Sequence, residues 1–197
     1  MARPAHEERI TVDEYLRGED GALEKSEYVE GRVFGMVGAS DAHNLITVNI
    51  GGLVWNATRR SKCQTYIGDM KIRPLSRVFY YPDVMVVCEP SDSEKFFKRF
   101  PCLIIEVLSP STATVDRGEK LYNYTQIPTL QTYVMVSQDK VLLEVYRRAE
   151  AGKWSYETLE EGDALALPCP EVTLPLADIY ENVPLRPSDE PFAPPRL

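Results

Sequence analysis

A short apolar run at residues 103–108 contains a single acid, Glu106, with three aliphatic residues before it and two after it. A run this short and this rich in branched side chains predicts a buried central strand. Residues 109–112 then offer turn and N-cap residues, so a helix is expected from about residue 115. An ionised carboxylate in a buried strand is costly unless a cation lies beside it. A salt bridge or a metal ion must therefore compensate the charge of Glu106.

The segment ahead of this strand carries signals for a helix, a hairpin and a second helix. Thr11 and Glu14 have the spacing of a capping box, which predicts a helix beginning at Thr11. Alternating positions on either side of Gly31 predict a β-hairpin. Ser40 is an N-cap candidate, and the apolar positions of residues 42–60 recur with helical spacing.

Most of the remaining apolar runs predict strands. They are residues 63–67, 70–73, 80–88, 132–136, 141–148 and 154–159. Residues 89–99 show no core pattern, and residues 174–180 predict a short closing turn of helix. This order predicts an α+β fold with a mixed central β-sheet flanked by helices and with additional antiparallel strands. We expect one domain over residues 1–183, followed by a loose proline-rich tail at 184–197.

The composition narrows the functional classes. Hydrophobic residues make up 44% of the chain and charged residues 26%, as in ordinary globular proteins. The 30 acids and 22 bases give a net charge of −8, whereas non-specific DNA binding relies on clustered bases facing phosphates. The charge therefore argues against a high-affinity non-specific DNA binder, but not against an enzyme whose acidic site recruits a divalent metal.

Location and redox state follow from two further features. No apolar stretch approaches the roughly 20 residues that span a bilayer, and residues 1–16 contain no apolar signal core. The chain contains four cysteines without a CxxC pair, and Cys88 and Cys102 lie in strand-like apolar runs. This pattern predicts buried reduced thiols, with neither a zinc site nor a disulfide framework, in a cytoplasmic protein without membrane contact.

Three ionisable residues stand where chemistry could use them. Asp83 begins one core strand, Glu106 lies within the next, and Lys120 lies on the helix that follows. If the two strands are neighbours, both carboxylates can converge at one end of the sheet. Carboxylate oxygens and water suit Mg²⁺, which prefers octahedral oxygen ligands. A nearby ammonium could orient an attacking water or stabilise charge on the phosphorane.

Structural roles for the same residues remain open at this point. Asp116 and Lys120 have the i,i+4 spacing of a pair that stabilises an exposed helix face. Glu106 could form a salt bridge with Arg117, and Asp83 after a proline could be a turn residue. For His43, in the first turn of a predicted helix, a structural hydrogen bond is favoured over a catalytic or metal-binding role.

Three stretches of the chain closely resemble the Uma2 family of restriction-endonuclease-like proteins. They are YPDVMVVC (81–88), PCLIIEVLSPSTATVDRGEKLYNY (101–124) and TYVMVSQDKVLLEVYRR (132–148). The resemblance extends over residues 11–180 and is most specific in EVLSPST followed by DRGEKLYNY. It implies the core of the PD-(D/E)xK nuclease superfamily, a restriction-endonuclease-like fold. Within it, Asp83 belongs to the PD element, Glu106 is the second acid, and both are metal ligands.

The resemblance also shows two departures from the superfamily pattern. The lysine expected two residues after the second acid is Leu108 here. Relatives of this kind are thought to supply a lysine from the following helix, which points to Lys120. The third acid of the superfamily has no clear match. Glu30 and Asp41 are weak candidates, and Asp69 on the preceding strand could approach the same end of the sheet.

Together these features favour a Mg²⁺- or Mn²⁺-dependent endonuclease that hydrolyses DNA phosphodiester bonds, with Asp83, Glu106 and Lys120 as the catalytic residues. The alternative is a catalytically inactive nuclease-fold protein that works by binding a partner. A third, weaker interpretation is a metal-dependent hydrolase acting on another substrate. The sequence leaves turnover itself, and assembly into a homo-oligomer, undecided.

Overall fold

The computed structural model describes residues 9–185. Its strands are β1 (Ser26–Val29), β2 (Arg32–Gly35), β3 (Gln64–Ile67), β4 (Lys71–Leu75), β5 (Val78–Tyr80), β6 (Val84–Val87), β7 (Phe97–Lys98), β8 (Pro101–Leu108), β9 (Thr132–Ser137), β10 (Leu142–Arg148), β11 (Trp154–Glu160), β12 (Ala164–Pro168) and β13 (Glu171–Pro175). Its helices are α1 (Val12–Glu19), α2 (Asp41–Thr58), α3 (Ala113–Val115), α4 (Leu121–Thr125) and α5 (Leu176–Ile179). A π-helical turn (Asp116–Lys120) joins α3 to α4, and a 3₁₀ turn (Glu150–Gly152) follows β10.

The central sheet has six strands in the order β11-β10-β9-β8-β6-β3. β8 and β9 run parallel, while the other neighbouring strands run antiparallel. Every residue of β8 is buried, because both faces of the sheet are covered. The predicted central strand at 103–108 and the predicted mixed sheet flanked by helices are both confirmed.

The two faces of the central sheet pack against different elements. α2, α5 and the β12–β13 hairpin cover one face, where Leu103 and Ile105 lie in the core. α4 and strands of the second sheet cover the other face, where Ile104 packs with Tyr124. Because side chains alternate along a strand, Glu106 points to this second face, toward the helix that carries Lys120.

The second sheet, of order β2-β1-β5-β4-β7, brings β1 close to the central strands. The predicted hairpin is confirmed, since β1 and β2 pair through a turn at Glu30 (φ 49°) and Gly31 (φ 95°). Gly31 adopts this left-handed conformation without the steric cost of a side chain. The predicted capping box at Thr11 is also confirmed. This capping box begins helix α1. Tyr15 of the helix stacks on Tyr28 of β1, with their ring centroids 4.9 Å apart.

The α2 helix begins where the sequence predicts, with the Ser40 side chain accepting a hydrogen bond from the His43 backbone N–H. Gly51 lets the helix pack closely on β3, since a Cβ there would lie 2.5 Å from Ile67 Cδ1. Among the described residues, neither α2 nor any shorter helix is long and apolar enough to cross a membrane.

Some predicted boundaries differ from the structure. The strand predicted at 80–88 is two strands, β5 and β6, because Pro82-Asp83 interrupts the ladder. β7 and the β12–β13 hairpin have no counterpart in the prediction. β7 is only two residues long and lies in a charged segment, so it carries no periodic pattern. Most of the tail predicted at 184–197 lies outside the described residues, which end at 185.

The prediction of buried reduced thiols at Cys88 and Cys102, without a disulfide framework, is wrong. Cys63 is bonded to Cys88 and Cys102 to Cys169, and the two disulfides contact each other. Spacing along the chain cannot reveal this cluster, because three neighbouring strands and a distant hairpin contribute one cysteine each.

Truncation of the central strand should be costly. Ile104 is completely buried, so Ile104→Ala should lower the free energy of unfolding by about 2–5 kcal/mol. Urea denaturation measures this change. Leu23→Ala is the matched control, because Leu23 is fully exposed and should shift the free energy by no more than about 0.5 kcal/mol. Equal effects of the two changes would contradict the central position of β8.

Candidate functional site

Ionisable side chains from four parts of the fold converge beside the C-terminal half of β8. Glu106 lies on β8 itself, Glu27 on β1, and Asp116 and Lys120 on the π-helical turn. Asp83 lies immediately before β6, the antiparallel neighbour of β8. The register of these two strands aligns Val84 with Ile105. It therefore places Asp83 opposite Glu106, where β6 begins.

The Lys120 ammonium group lies at the centre of this cluster. Its Nζ atom is 3.1 Å from Glu27 Oε1, 3.2 Å from Glu106 Oε1 and 3.2 Å from Asp116 Oδ1. Burial lowers the pKa of Lys120, but the three neighbouring carboxylates outweigh burial and raise that pKa well above its ordinary value. The lysine is therefore protonated at neutral pH.

The π-helical turn positions both members of the i,i+4 ion pair, Asp116 and Lys120. The Leu121 backbone N–H donates to the Asp116 carbonyl, which widens the helix by one residue at this turn. Asp116 and Lys120 are only 1% and 5% exposed, so the interpretation of this pair as a stabiliser of an exposed helix face is wrong. The Tyr133 hydroxyl also donates to the Asp116 carbonyl at 3.1 Å, which fixes the turn against β9.

Glu106 is 3% exposed and has a second partner besides the lysine. The Tyr124 hydroxyl donates to Glu106 Oε1 at 2.8 Å. Burial raises the pKa of Glu106 well above 4.5, Lys120 lowers it, and the charges of Asp116 and Asp83 raise it further. The proposed salt bridge between Glu106 and Arg117 is not formed, because Arg117 pairs with Glu144 at 2.5 Å.

Asp83 is held beside Glu106 from two directions. Its Oδ2 atom accepts a hydrogen bond from the Val107 N–H at 2.7 Å and lies 3.3 Å from His43 Nε2. Burial lowers the pKa of His43, but its hydrogen bond and charge interaction with Asp83 raise that pKa overall. His43 therefore orients Asp83, in line with the structural hydrogen bond favoured from the sequence. The Asp83 side chain remains 20% exposed, so this side of the cluster is open to solvent.

Glu27 is an acidic residue of the site that the sequence did not single out. Its side chain is only 16% exposed and contacts Lys120. Its Oε1 atom also accepts from the Tyr81 backbone N–H at 3.2 Å. The alternation of β1 offered a signal, because Tyr28 points into the core and Glu27 therefore faces the opposite side.

The three weaker candidates for a third acid lie elsewhere. Glu30 pairs with Arg77 at 3.0 Å, and Asp69 pairs with Lys25 at 2.7 Å with its side chain 86% exposed. Asp41 is exposed and accepts from the Ala42 N–H at 2.8 Å in the first turn of α2. Glu30 and Asp69 are therefore paired with cations outside the lysine-centred cluster.

The chemistry of the donor set suits a hard divalent cation. The cluster offers carboxylate oxygens, which are the ligands that Mg²⁺ and Mn²⁺ prefer. Asp116 Oδ1 is buried and contacts Lys120 Nζ at 3.2 Å, but it accepts no hydrogen bond from the described residues. Lys120 is the only cation among the groups that most affect the pKa of Glu106. Four carboxylates thus share one ammonium and one imidazole, and this surplus of negative charge fits the binding of a cation.

Comparison with known proteins agrees with this fold. Residues 12–177 match the Uma2 family, described as "Putative restriction endonuclease". Two proteins of Synechocystis sp. are each 34% identical to this chain. The uncharacterized protein slr1290 aligns over 89% of this chain and 93% of its own length. The uncharacterized protein sll1609 aligns over 74% of this chain and 84% of its own length.

A solved structure resembles the fold more broadly. The crystal structure of a "putative nuclease belonging to DUF820" from Anabaena variabilis superposes with a TM-score of 0.72. It is 18% identical in sequence, and the alignment covers 87% of this chain and 97% of that one. The match to the family profile extends over most of the chain, so the protein belongs to the Uma2 family.

Proposed function

We propose that this protein is a divalent-metal-dependent endonuclease that hydrolyses phosphodiester bonds in DNA. The observation that carries the proposal is the buried contact of Lys120 with Glu27, Glu106 and Asp116, beside the partly exposed Asp83. The chain belongs to a family of restriction-endonuclease-like proteins, and this supports a nuclease-like function. DNA as substrate, the metal and the roles of the residues are parts of the proposal.

Asp83 and Glu106 would hold Mg²⁺ or Mn²⁺ through their carboxylate oxygens. An ion bound there supplies a Lewis acid that polarises a phosphoryl oxygen and lowers the pKa of a bound water. His43 and the Val107 N–H keep Asp83 in one orientation, and Tyr124 does the same for Glu106. These contacts hold both carboxylates in fixed positions.

Lys120 would act on the negative charge of the transition state. Its raised pKa keeps the ammonium charged at neutral pH, so it can donate hydrogen bonds to a phosphate oxygen or orient the attacking water, but it cannot remove a proton. Leu108 occupies the usual position of this lysine in the superfamily. Here the ammonium group comes instead from the π-helical turn, and Lys120 Nζ lies 3.2 Å from Glu106 Oε1.

One alternative function has an observation in its favour. Lys120 already contacts three carboxylates, and such a cluster can be a structural element of a nuclease-fold protein that only binds a partner. The two functions differ in whether the acids bind metal and whether the lysine is required for cleavage, so the following experiments separate them.

The first test is metal binding. Calorimetric titration should detect Mn²⁺ binding to the wild type and an affinity lower by about tenfold or more in Asp83→Asn, because a charged ligand is lost. Asp69→Asn is the matched control, since Asp69 is exposed and pairs with Lys25, and it should bind like the wild type. Equal affinities for Asp83→Asn and the wild type would remove Asp83 from the metal site.

The second test is the pH dependence of stability without metal. A folded-state pKa of Glu106 above 4.5 means that its contribution to stability is fully present below about pH 4.5 and is lost as pH rises through the folded pKa. Glu106→Gln does not titrate and can still accept the hydrogen bond from Tyr124. Its free energy of unfolding relative to the wild type should therefore increase from about pH 4.5 to pH 7.

Urea denaturation in a chelating buffer measures this difference at each pH. Glu157→Gln is the control for the loss of an acid in a salt bridge, because Glu157 pairs with Arg147 and its side chain is 47% exposed. A relative stability of Glu106→Gln that decreases as pH rises would mean that the attraction of Lys120 outweighs burial and the neighbouring acids.

The third test is catalytic. Lys120→Met should lower the single-turnover rate of Mg²⁺- or Mn²⁺-dependent DNA cleavage by about 100-fold or more, while metal binding is retained. Lys98→Met is the matched control, because Lys98 is also buried but donates to the carbonyls of Asp92 and Glu94. Cleavage by Lys120→Met at the wild-type rate would overturn the role of the lysine. A wild type that binds metal but cleaves no form of DNA would favour the partner-binding alternative.

A further inference from the structure

The four cysteines meet in one cluster at the opposite end of β6 and β8 from the carboxylates. Cys63 directly precedes β3, Cys88 directly follows β6, Cys102 lies near the start of β8, and Cys169 lies between β12 and β13. Besides the two disulfides, Cys88 Sγ is 3.3 Å from Cys169 Sγ and 3.7 Å from Cys102 Sγ. The sulfur atoms of Cys63, Cys88 and Cys169 all lie within 4.8 Å of one another, and Cys102 joins them through its bond to Cys169 and its contact with Cys88.

The strand register explains how three of the cysteines come together. Gln64 pairs with Val87, so Cys63 and Cys88 are the next facing positions, with their Cα atoms 4.0 Å apart. Between β6 and β8 the register shifts, which leaves Cys102 as an extra residue opposite no residue of β6. This bulge turns Cys102 to the same face of the sheet as Leu103.

The fourth cysteine arrives from a distant part of the chain. The β12–β13 hairpin packs on the face of the central sheet that α2 also covers, and its turn brings Cys169 to the same point. Cys169 and Cys102 are 67 residues apart in the sequence. The cluster thus ties the hairpin to β3, β6 and β8 at a single position.

The contacts between the two disulfides suggest that the four cysteines act as one site and not only as two separate cross-links. A pair of structural disulfides can each stabilise a fold without touching, whereas a tetrathiolate site requires all four sulfur atoms to meet. Zn²⁺ bound by four cysteines has Zn–S bonds of about 2.3 Å and tetrahedral geometry, so neighbouring sulfur atoms are about 3.8 Å apart. The separations of 3.3 and 3.7 Å between sulfur atoms of different disulfides are already close to that value.

We propose that the reduced form of this four-cysteine cluster binds one Zn²⁺ as a closed structural site. Reduction of the two disulfides takes four electrons and four protons, which two molecules of a dithiol reductant supply as each is oxidised to its own disulfide, and it yields four thiols. The four thiols release four protons as their sulfur atoms bind the ion. No position remains for water, so the site holds the sheet and the hairpin together and takes no part in hydrolysis.

The position of the cluster separates it from the proposed catalytic site. Cys102 and Glu106 are four residues apart on β8, about 13 Å along the strand. The cluster belongs to the core under α2 and the hairpin, while Glu106 faces α4. Zinc binding can therefore fail while the proposed nuclease function stands, and the reverse also holds.

The test uses the full chain, reduced anaerobically and then titrated with Co²⁺ as a spectroscopic probe and with Zn²⁺. One cobalt ion per chain should bind through thiolates, as counted from the charge-transfer and visible bands of a tetrahedral cobalt–thiolate complex, and Zn²⁺ should displace it. Cys169→Ser should lower the affinity about 100-fold or more and alter the thiolate bands. Asp69→Asn is the matched control, because Asp69 is exposed and pairs with Lys25 away from both sites, and it should leave the thiolate bands and the affinity unchanged.

A measurement on the wild type alone covers the case in which Cys169→Ser does not fold. Zn²⁺ should slow the alkylation of all four cysteines of the reduced protein by iodoacetamide at least tenfold, as counted by mass spectrometry. Alkylation at the same rate with and without Zn²⁺, or cobalt binding without thiolate bands, would overturn the proposal. Either result would leave the cluster as a pair of structural disulfides.

Discussion

The ammonium group of Lys120 and the three carboxylates around it form a buried set of charges in which each member depends on the others. A charge removed from water is costly unless it is compensated at close range. The three ion pairs of 3.1–3.2 Å supply that compensation. They also fix the positions of three elements, because β1, β8 and the π-helical turn must all lie within reach of one nitrogen atom. Removal of one partner from such a buried set typically costs about 3–5 kcal/mol.

The same charges that organise the fold leave the site with an excess of negative charge. Lys120 does not balance the acids, because Asp83 adds a fourth carboxylate at the open side of the cluster. Burial and the neighbouring acids consequently raise the pKa of Glu106. In the proposed nuclease a divalent ion would relieve this excess, so that metal binding and stability would be coupled. Perturbed acids beside a charged lysine are a frequent feature of catalytic sites.

β6 and β8 connect two chemically different groups of side chains. At one end lie oxygen ligands suited to hard cations, and at the other end lie four sulfur atoms suited to soft ones. Both groups depend on the antiparallel register of the same two strands, since Asp83 directly precedes β6 and Cys88 directly follows it. The bulge at Cys102 changes the side-chain alternation between the two ends, and it thereby keeps the sulfur cluster and Glu106 on opposite faces of the sheet.

The sequence by itself determined the elements that have strong local signals. The buried β8 strand, the capping box at Thr11 and the hairpin around Gly31 all follow from periodicity or from the conformational preference of single residues. The resemblance to the Uma2 family predicted the fold and suggested Asp83, Glu106 and Lys120. Tertiary structure alone decided that Glu27 faces the lysine and that the four cysteines meet, because contacts between distant strands leave no trace in local spacing. The inward direction of Lys120 was also undecided, since a π-helical turn changes which face of a helix is buried and periodicity assumes a regular one.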